Sequence, residues 1–282
     1  MLFVIDVGNT NSVLGLFREK ELVAHWRLTT DLSQTADEYG IQIRTLFTLD
    51  GIDPNEITGL MISSVVPPLN SVLAEMAKKY FGRRALFLEP GTRTGMAIHY
   101  DNPQEVGADR IANGVAAFEK YGGPCVVVDF GTAITFDTIS AEGDYLGGVI
   151  APGLGVSAEA LVTRTARLPR VEVRQPEKLI GTSTVGSMQS GLYYGSLALM
   201  DGILERLREV LGTGMRVIAT GGEAALLADA SRFKPIVDAN LTLEGLRIIH
   251  ERNRDDRKQD GRKQDGRKRL QKVRKSKPSS RS

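Results

Sequence analysis

Two segments of the chain place the same kinds of polar residue directly after a buried strand. Near the start, FVIDVGNTNSVLGLF carries Asp6, Gly8 and Thr10 between two apolar runs. Far downstream, CVVVDFGTAITFDTI repeats the plan with Asp129 and Thr132. Each segment predicts a strand, a tight turn that contains glycine, and a returning strand. The N–H groups and threonine hydroxyl of such a turn can bind phosphate oxygens, and the carboxylate can bind the metal that phosphates bring.

A third segment, MRVIATGGEAALL at 215–227, predicts a strand that ends in Thr220, Gly221 and Gly222 and opens a helix. Two adjacent glycines let the backbone lie flat against an adenosine, and a helix N-terminus favours anions. One such turn alone is most often a plain hairpin, and two glycines alone are a weak signal. The three segments in this order predict two similar half-domains that face one nucleotide across a cleft.

The elements that must position these turns follow a similar order in both halves of the chain. The first half has predicted strands at 2–7, 12–18, 21–29, 60–66 and 85–89 and helices at 35–49, 69–82 and near 105–121. Thr35 and Glu38 form a predicted capping box at the start of the first of these helices, 35–49. The second half has strands at 124–129, 133–139, 145–151, 215–220 and 235–237, and helices near 153–163, 183–211, 222–229 and from 242.

This order predicts an α/β fold of two ribonuclease-H-like half-domains, as in actin-like ATPases, with mixed sheets around a nucleotide cleft. We assign residues 1–120 to the first half-domain, 121–250 to the second and 251–282 to a tail. The chain has no apolar run of membrane-spanning length and begins directly with a strand pattern, so we expect no membrane partner and a cytoplasmic location. Its single cysteine, Cys125, is predicted to be a small buried apolar residue.

Charge is divided unevenly along the chain. The 282 residues include 36 Lys and Arg and 34 Asp and Glu. Of these, 14 basic and 5 acidic residues lie in 251–282, so the part before the tail is acidic. The tail repeats KQDGR and lacks aromatic residues, a composition typical of disorder. We interpret it as a solvated extension; it is also the one segment whose charge suits RNA or an acidic surface.

The linked segments DVGNT, DNPQEVGADRIANGVAAF, DFGTAITFD, GGVIAPG, RTARLPRVE and ATGG, in this order, resemble the type III pantothenate kinases. The resemblance runs from residue 1 to about residue 250 and excludes the tail. It implies ATP-dependent phosphorylation of pantothenate to 4′-phosphopantothenate, the first step of coenzyme A synthesis. It also implies a homodimer whose pantothenate pocket lies close to the subunit interface. The apolar 183–211 helix is then a predicted interface helix, although it could equally belong to the core.

The same resemblance implies a nucleotide site. Its ATP contacts are Asp6, Val7, Gly8, Asn9, Thr10, Asn11, Ser12, Val13 and Thr132, to which the glycine pattern adds Gly221 and Gly222. Asp129 matches the ligand of a monovalent cation, K⁺ or NH₄⁺, and we expect Asp6 to hold Mg²⁺ through water. Val13 gives this loop no basic side chain, so the phosphate charge must be neutralised by metal ions, backbone amides and arginines elsewhere.

The substrate residues look ordinary when they are considered one at a time. The residue pattern alone favours Asp109 as a helix-stabilising charge in a first turn, Arg110 as a surface or ion-pair residue, and Thr184 as an N-cap. The resemblance reverses these interpretations. It makes Asp109 the proton acceptor for the substrate hydroxyl, and it implies that pantothenate is bound by Tyr100, Gly107, Ala108, Asp109, Arg110 and Thr184. Arg110 is chemically suited to hold the pantothenate carboxylate.

Two other functions are compatible with this fold class. A kinase of the same superfamily could act on a sugar, a polyol or acetate, but the ordered VGADR and RTARLP segments argue against it. A non-catalytic nucleotide-gated assembly or regulatory protein is the second alternative, because a fold alone does not imply catalysis. Asp109, at the start of a helix, weakens that second alternative.

Overall fold

A computed structural model describes residues 1–254 of the chain. The predicted tail falls outside the described residues from residue 255 onward. The first sheet contains β1 (Leu2–Val7), β2 (Asn11–Arg18), β3 (Glu21–Thr29), β4 (Gly59–Ser64) and β5 (Leu86–Phe87). Helices α1 (Ala36–Leu49) and α2 (Pro67–Phe81) connect its later strands. The strand order is β3-β2-β1-β4-β5, with β1, β2 and β3 antiparallel and β1, β4 and β5 parallel.

The second sheet repeats this plan. Its strands are β6 (Cys125–Phe130), β7 (Ala133–Ile139), β8 (Tyr145–Pro152), β9 (Arg216–Gly221) and β10 (Ile236–Val237), in the order β10-β9-β6-β7-β8. β6, β7 and β8 are antiparallel, and β6, β9 and β10 are parallel. Helices α4 (Leu154–Thr163), α5 (Thr184–Leu211) and α6 (Ala224–Ala228) belong to this half. The predicted fold class is confirmed.

Two helices lie between the sheets and join the halves. They are α3 (Ala108–Tyr121) and α7 (241–254), and their apolar side chains form one buried cluster with residues of both sheets, among them Val4 and Val127. Separate apolar clusters pack α1 and α2 on the outer face of the first sheet and α5 and α6 on the outer face of the second. The division of the chain at residue 120 stays a prediction.

Most boundaries fall within two residues of the predicted ones, and the exceptions have local causes. The capping box of Thr35 and Glu38 is present at the start of α1, and Cys125 is fully buried. α2 begins at Pro67 rather than at residue 69, because proline suits the first turn of a helix, where no N–H partner is needed. β5 has only two residues, and α3 begins at Ala108 after a separate 3₁₀ turn at Pro103–Glu105. Among residues 1–254, no helix is both long enough and apolar enough to cross a membrane.

Candidate active site

The two repeated turns meet directly at the mouth of the cleft between the sheets. The Thr10 and Thr132 hydroxyl oxygens lie 3.0 Å apart, although 122 residues separate them in the chain. Both turns close in a similar way, since the N–H of Gly8 donates to the Asn11 carbonyl and the N–H of Gly131 to the Ala133 carbonyl. The predicted pairing of the two glycine turns around one cleft therefore agrees with the geometry.

Asp6 lies one residue before the end of β1 and faces this cleft. The Ser63 hydroxyl of the neighbouring strand β4 donates a hydrogen bond of 2.5 Å to its Oδ1. Surrounding protein removes water from the carboxylate and raises the pKa of Asp6 to about 7, and the negative charges of Asp109 and Asp129 add to this rise. A carboxylate with these neighbours is suited to hold a cation.

Asp129 has the equivalent position on β6, but its hydrogen-bond partner comes from a helix. The Asn113 amide nitrogen of α3 donates to Asp129 Oδ2 at 2.9 Å, and the Thr242 hydroxyl of α7 donates to the Asn113 amide oxygen at 2.7 Å. Desolvation, and then the charge of Asp109, raise the pKa of Asp129 to about 7. Sequence reasoning missed Asn113, which lies inside the quoted IANGV segment without any motif of its own.

The third glycine segment lies beside the second turn. Gly221 ends β9 with φ of +92°, and a Cβ atom there would lie 2.5 Å from the Phe130 carbonyl oxygen, so this position requires glycine. The Gly222 N–H donates to the same carbonyl at 3.0 Å. The helix that follows, α6, has only five residues and begins after the acidic Glu223. The expectation that its N-terminus favours an anion stays a prediction.

Helix α3 brings Asp109 into the cleft. Gly107 is its N-cap, and a side chain at Gly107 would collide with the Asp109 carboxylate. Asp109 Oδ1 accepts a hydrogen bond of 2.9 Å from the Arg110 N–H, and desolvation raises the pKa of Asp109. Its charge acts on both Asp6 and Asp129, so the three carboxylates share one region. Asp109 lies in the first turn of α3, as the residue pattern alone predicted, but its surroundings are those of the cleft.

Arg110 is buried and paired, as its interpretation as an ion-pair residue predicted. Its Nε donates to Asp137 Oδ1 at 2.6 Å, and the Tyr145 hydroxyl donates to the same oxygen at 2.7 Å. Its Nη2 is buried and has no hydrogen-bond partner within residues 1–254. Gly148 passes so close that a Cβ atom there would lie 2.8 Å from this nitrogen. Asp137, Tyr145 and Gly148 lie in or beside quoted segments, but their roles depend on pairings that sequence spacing does not reveal.

Tyr100 joins this group and Thr184 does not. The Tyr100 ring lies 6.4 Å from the Tyr145 ring, and its hydroxyl is near enough to influence the pKa of Arg110. Thr184 is the first residue of α5 and lines a separate open cavity of about 720 Å³ together with Leu161 and Met188. The N-cap interpretation of Thr184 is wrong, because the Ser183 hydroxyl makes the capping hydrogen bond to the Gly186 N–H.

The carboxylates of the described residues do not form a complete metal site by themselves. Among the residues that the structure describes, no three His, Cys, Asp or Glu side chains form a metal-binding group. Asp6 and Asp129 each receive one hydrogen bond from a neutral donor and have no basic partner there. Mg²⁺ commonly binds one or two carboxylates and completes its octahedron with water and substrate phosphates. The donor set therefore fits a cation that arrives with a nucleotide.

Comparison with known proteins follows this geometry. The model of the type III pantothenate kinase family matches residues 2–206. The chain is 57% identical over 266 residues to a type III pantothenate kinase of Koribacter versatilis, covering 91% of this chain and 97% of that protein. A type III pantothenate kinase of Solibacter usitatus is 54% identical over 253 residues, with 90% and 97% covered. Among solved structures, the activator of 2-hydroxyisocaproyl-CoA dehydratase from Clostridium difficile, with bound ADPNP, has a TM-score of 0.50 at 12% identity, with 91% and 97% covered. That likeness concerns the fold alone.

Proposed function

Because the chain belongs to the type III pantothenate kinase family and phosphorylates pantothenate in coenzyme A biosynthesis, we propose that ATP is the donor and binds in the cleft between the two sheets. The observation that carries this proposal is the 3.0 Å contact between Thr10 and Thr132, which joins the two repeated turns at one point. Their backbone N–H groups and hydroxyls bind phosphate oxygens. The flat Gly221–Gly222 backbone beside the second turn accepts the adenosine.

Asp6 and Asp129 hold the cations in this proposal. Asp6 binds Mg²⁺ through water, and Asp129 binds a monovalent cation, K⁺ or NH₄⁺. The closeness of Asp6 and Asp129 to Asp109, with no basic partner for either group among residues 1–254, supports this assignment, because a bound cation offsets the repulsion between carboxylates. When bound, the cations neutralise charge on the phosphate oxygens of ATP. The protein's own part is to fix these carboxylates through Ser63 and Asn113.

Pantothenate lies against the start of α3 and the β8 strand. The buried Arg110 Nη2, which lacks a partner within residues 1–254, binds the pantothenate carboxylate, and Tyr100 borders the same pocket. Asp137 accepts hydrogen bonds from both Arg110 Nε and Tyr145, and so fixes the orientation of the guanidinium. A planar guanidinium held at one nitrogen offers the others to a carboxylate in a defined direction. Asp137 is thus a positioning residue for substrate binding.

Asp109 accepts the proton of the substrate hydroxyl while the hydroxyl oxygen attacks the γ-phosphorus of ATP in line. The bond between the γ-phosphorus and the β–γ bridging oxygen breaks, and ADP is the leaving group. Desolvation raises the pKa of Asp109, which makes the carboxylate a better proton acceptor than an exposed aspartate. Its neighbours Asp6 and Asp129 hold the phosphates' cations, so the base and the transferred group lie in one region. Phosphoryl transfer depends mainly on such positioning and charge neutralisation.

Thr184 contacts pantothenate in the homodimer. It lies apart from Arg110 within one chain, at the start of α5. Large apolar side chains are exposed on β8, α4 and the start of α5: Leu146, Val149, Ile150, Val156, Leu161 and Val185. Exposed apolar patches of this kind mark protein interfaces. Sedimentation should give a dimer at assay concentration, and a fully active monomer would overturn this part of the proposal.

One experiment tests the reaction itself. ADP release is measured with the full chain, ATP, Mg²⁺ and K⁺ in the presence of pantothenate, a panel of sugars and polyols, acetate, or no acceptor. We expect release that depends on pantothenate, with 4′-phosphopantothenate formed in equal amount. Release with a sugar or with acetate instead, or nucleotide binding without any acceptor dependence, would contradict the assignment.

A further inference from the structure

Arg27 lies in a row of residues that crosses the first sheet. In the β-ladders, Asp6 of β1 is opposite Val13 of β2, and Val13 is opposite Arg27 of β3. Residues directly opposite one another on neighbouring strands project from the same face of a sheet. Val4, two residues before Asp6, packs in the cluster between the two sheets. The row that contains Arg27 therefore faces the second sheet and the cleft.

The tip of the Arg27 side chain reaches the other half of the molecule. Its Nη1 lies 3.5 Å from the point where a Cβ atom of Gly222 would be. Its positive charge also opposes the rise that desolvation causes in the pKa of Glu223. Arg27 is exposed, and within residues 1–254 its guanidinium has no hydrogen-bond or ion-pair partner. An arginine from one half thus ends unpaired beside the glycine turn of the other half.

The cleft needs such a cation. The segments 6–13, 129–133 and 220–222 contain no lysine or arginine, whereas three aspartates face the cleft. The charge of Arg110 is balanced by Asp137. A triphosphate would bring further negative charge, and a guanidinium binds phosphate oxygens with two parallel hydrogen bonds.

We propose that Arg27 binds the phosphates of ATP that are not transferred, and links the first half-domain to the nucleotide at the Gly222 side. The proposal rests on the proposed ATP site. Arg27 is two strands away from Asp6, which corresponds to about 10 Å between their Cα atoms. Asp6, Asp109 and Asp129 surround the reacting end, so the arginine meets the nucleotide near its α-phosphate, next to the adenosine turn.

The test compares nucleotide binding by the wild type, Arg27→Ala, Arg27→Lys and the control Arg44→Ala. Arg44 is an exposed arginine on α1, on the outer side of the first sheet. Calorimetric titrations use ATP, ADP and adenosine. For Arg27→Ala we expect the Kd of ATP and of ADP to rise roughly 10- to 100-fold, the loss typical of a hydrogen bond between charged groups. Adenosine affinity should not change, Arg27→Lys should recover part of the loss, and Arg44→Ala should match the wild type.

Steady-state kinetics separates this role from a structural one. Arg27→Ala should raise the KM for ATP and leave the KM for pantothenate and the melting temperature unchanged. Unchanged affinity for ATP and ADP would overturn the proposal, and so would an equal loss of adenosine affinity, which would indicate stacking on the base. Failure of the wild-type protein to bind ATP would instead contradict the proposed ATP site itself.

Discussion

Asp6 and Asp129 occupy equivalent positions in the two sheets, each opposite a hydroxyl residue on the neighbouring parallel strand. Ser63 stands opposite Asp6, and Thr220 stands opposite Asp129. Within residues 1–254, Ser63 donates a hydrogen bond to Asp6, whereas the donor to Asp129 is Asn113 of α3 and not Thr220. The first half thus fixes its carboxylate within its own sheet, whereas the second half fixes its carboxylate to a helix.

This difference indicates how a repeated fold acquires two roles. Asn113 lies four residues after Asp109, and side chains four apart lie on the same face of a helix. The helix face that carries the proposed base therefore also fastens Asp129 in place. Arg110, on the same helix, is anchored to Asp137 of β7. The proposed substrate-binding groups therefore lie on the second sheet and α3, while Asp6 and Arg27 belong to the first sheet.

The largest expected effect comes from Asp109→Asn, which tests whether the α3 face carries the chemistry. The amide keeps the shape of the carboxylate but cannot accept the hydroxyl proton. The kcat should fall roughly 10²- to 10⁴-fold, the usual contribution of a positioned base. Melting temperature and ATP affinity should stay near their wild-type values.

Asp37→Asn is the matched control for this variant, since Asp37 also lies in the first turn of a helix but on the outer side of the first sheet. It should retain wild-type kcat. Wild-type kcat together with a lower melting temperature in Asp109→Asn would contradict the catalytic assignment. That outcome would restore the role of a helix-stabilising charge.

Asp137→Asn tests the anchor of Arg110. Weakening a buried ion pair leaves an uncompensated charge, which costs up to about 3–5 kcal/mol of unfolding free energy when one partner is removed. The KM for pantothenate should rise more than tenfold, by roughly the strength of a charged hydrogen bond, while the KM for ATP stays constant. The KM for pantothenol, which lacks the carboxylate, should rise much less than the KM for pantothenate.

Tyr145→Phe gives a milder version of this test in case Asp137→Asn does not fold. It removes one hydroxyl donor from Asp137 and keeps the aromatic ring. Tyr145→Phe should also raise the KM for pantothenate, by a smaller factor than Asp137→Asn. An equal rise of the KM for pantothenate and for pantothenol in these variants would rule out a role of Arg110 in binding the carboxylate.

The two aspartates should also differ in their cation dependence. Asp129→Ala should reduce turnover roughly 10- to 100-fold and abolish the advantage of K⁺ over Na⁺ or a bulky organic cation. Asp6→Ala should raise the Mg²⁺ concentration that half-maximal activity requires and keep the preference for K⁺. Turnover titrations in both cations distinguish the variants. Identical wild-type rates in K⁺, Na⁺ and an organic cation would remove the monovalent site from Asp129.

Local sequence patterns were sufficient for much of the fold. Strands were predicted at 2–7 and 21–29, and the structure has β1 and β3 at these positions. The two aspartate turns were visible because each is one continuous segment. The length of β5 was overestimated, with five residues predicted and two observed. An apolar run does not reveal how many of its residues pair with a neighbouring strand.

The supporting contacts were beyond sequence reasoning for a physical reason. Ser63 lies 57 residues from Asp6, and Arg110 lies 27 residues from Asp137, so each pair depends on strand register and helix placement. A lone serine or aspartate in a strand has no spacing that identifies its partner. The predicted residues Asp109 and Arg110 took their proposed roles from the family resemblance, and the contacts that orient Arg110 appear only in three dimensions.

The smallest expected effect separates the equivalent hydroxyl residues Ser63 and Thr220. Ser63→Ala removes the donor to Asp6, and a hydrogen bond of this kind contributes about 1 kcal/mol, so kcat/KM for ATP should fall about fivefold. Thr220→Val keeps its shape and removes a hydroxyl that makes no hydrogen bond to Asp129 within the described residues, so kcat/KM should change less than about twofold. Asn113→Ala should affect ATP use at least as strongly as Ser63→Ala, because it frees Asp129 from α3. Equal losses in Ser63→Ala and Thr220→Val would mean that both halves hold their aspartates through the sheet, and the distinction between the two halves would then fail.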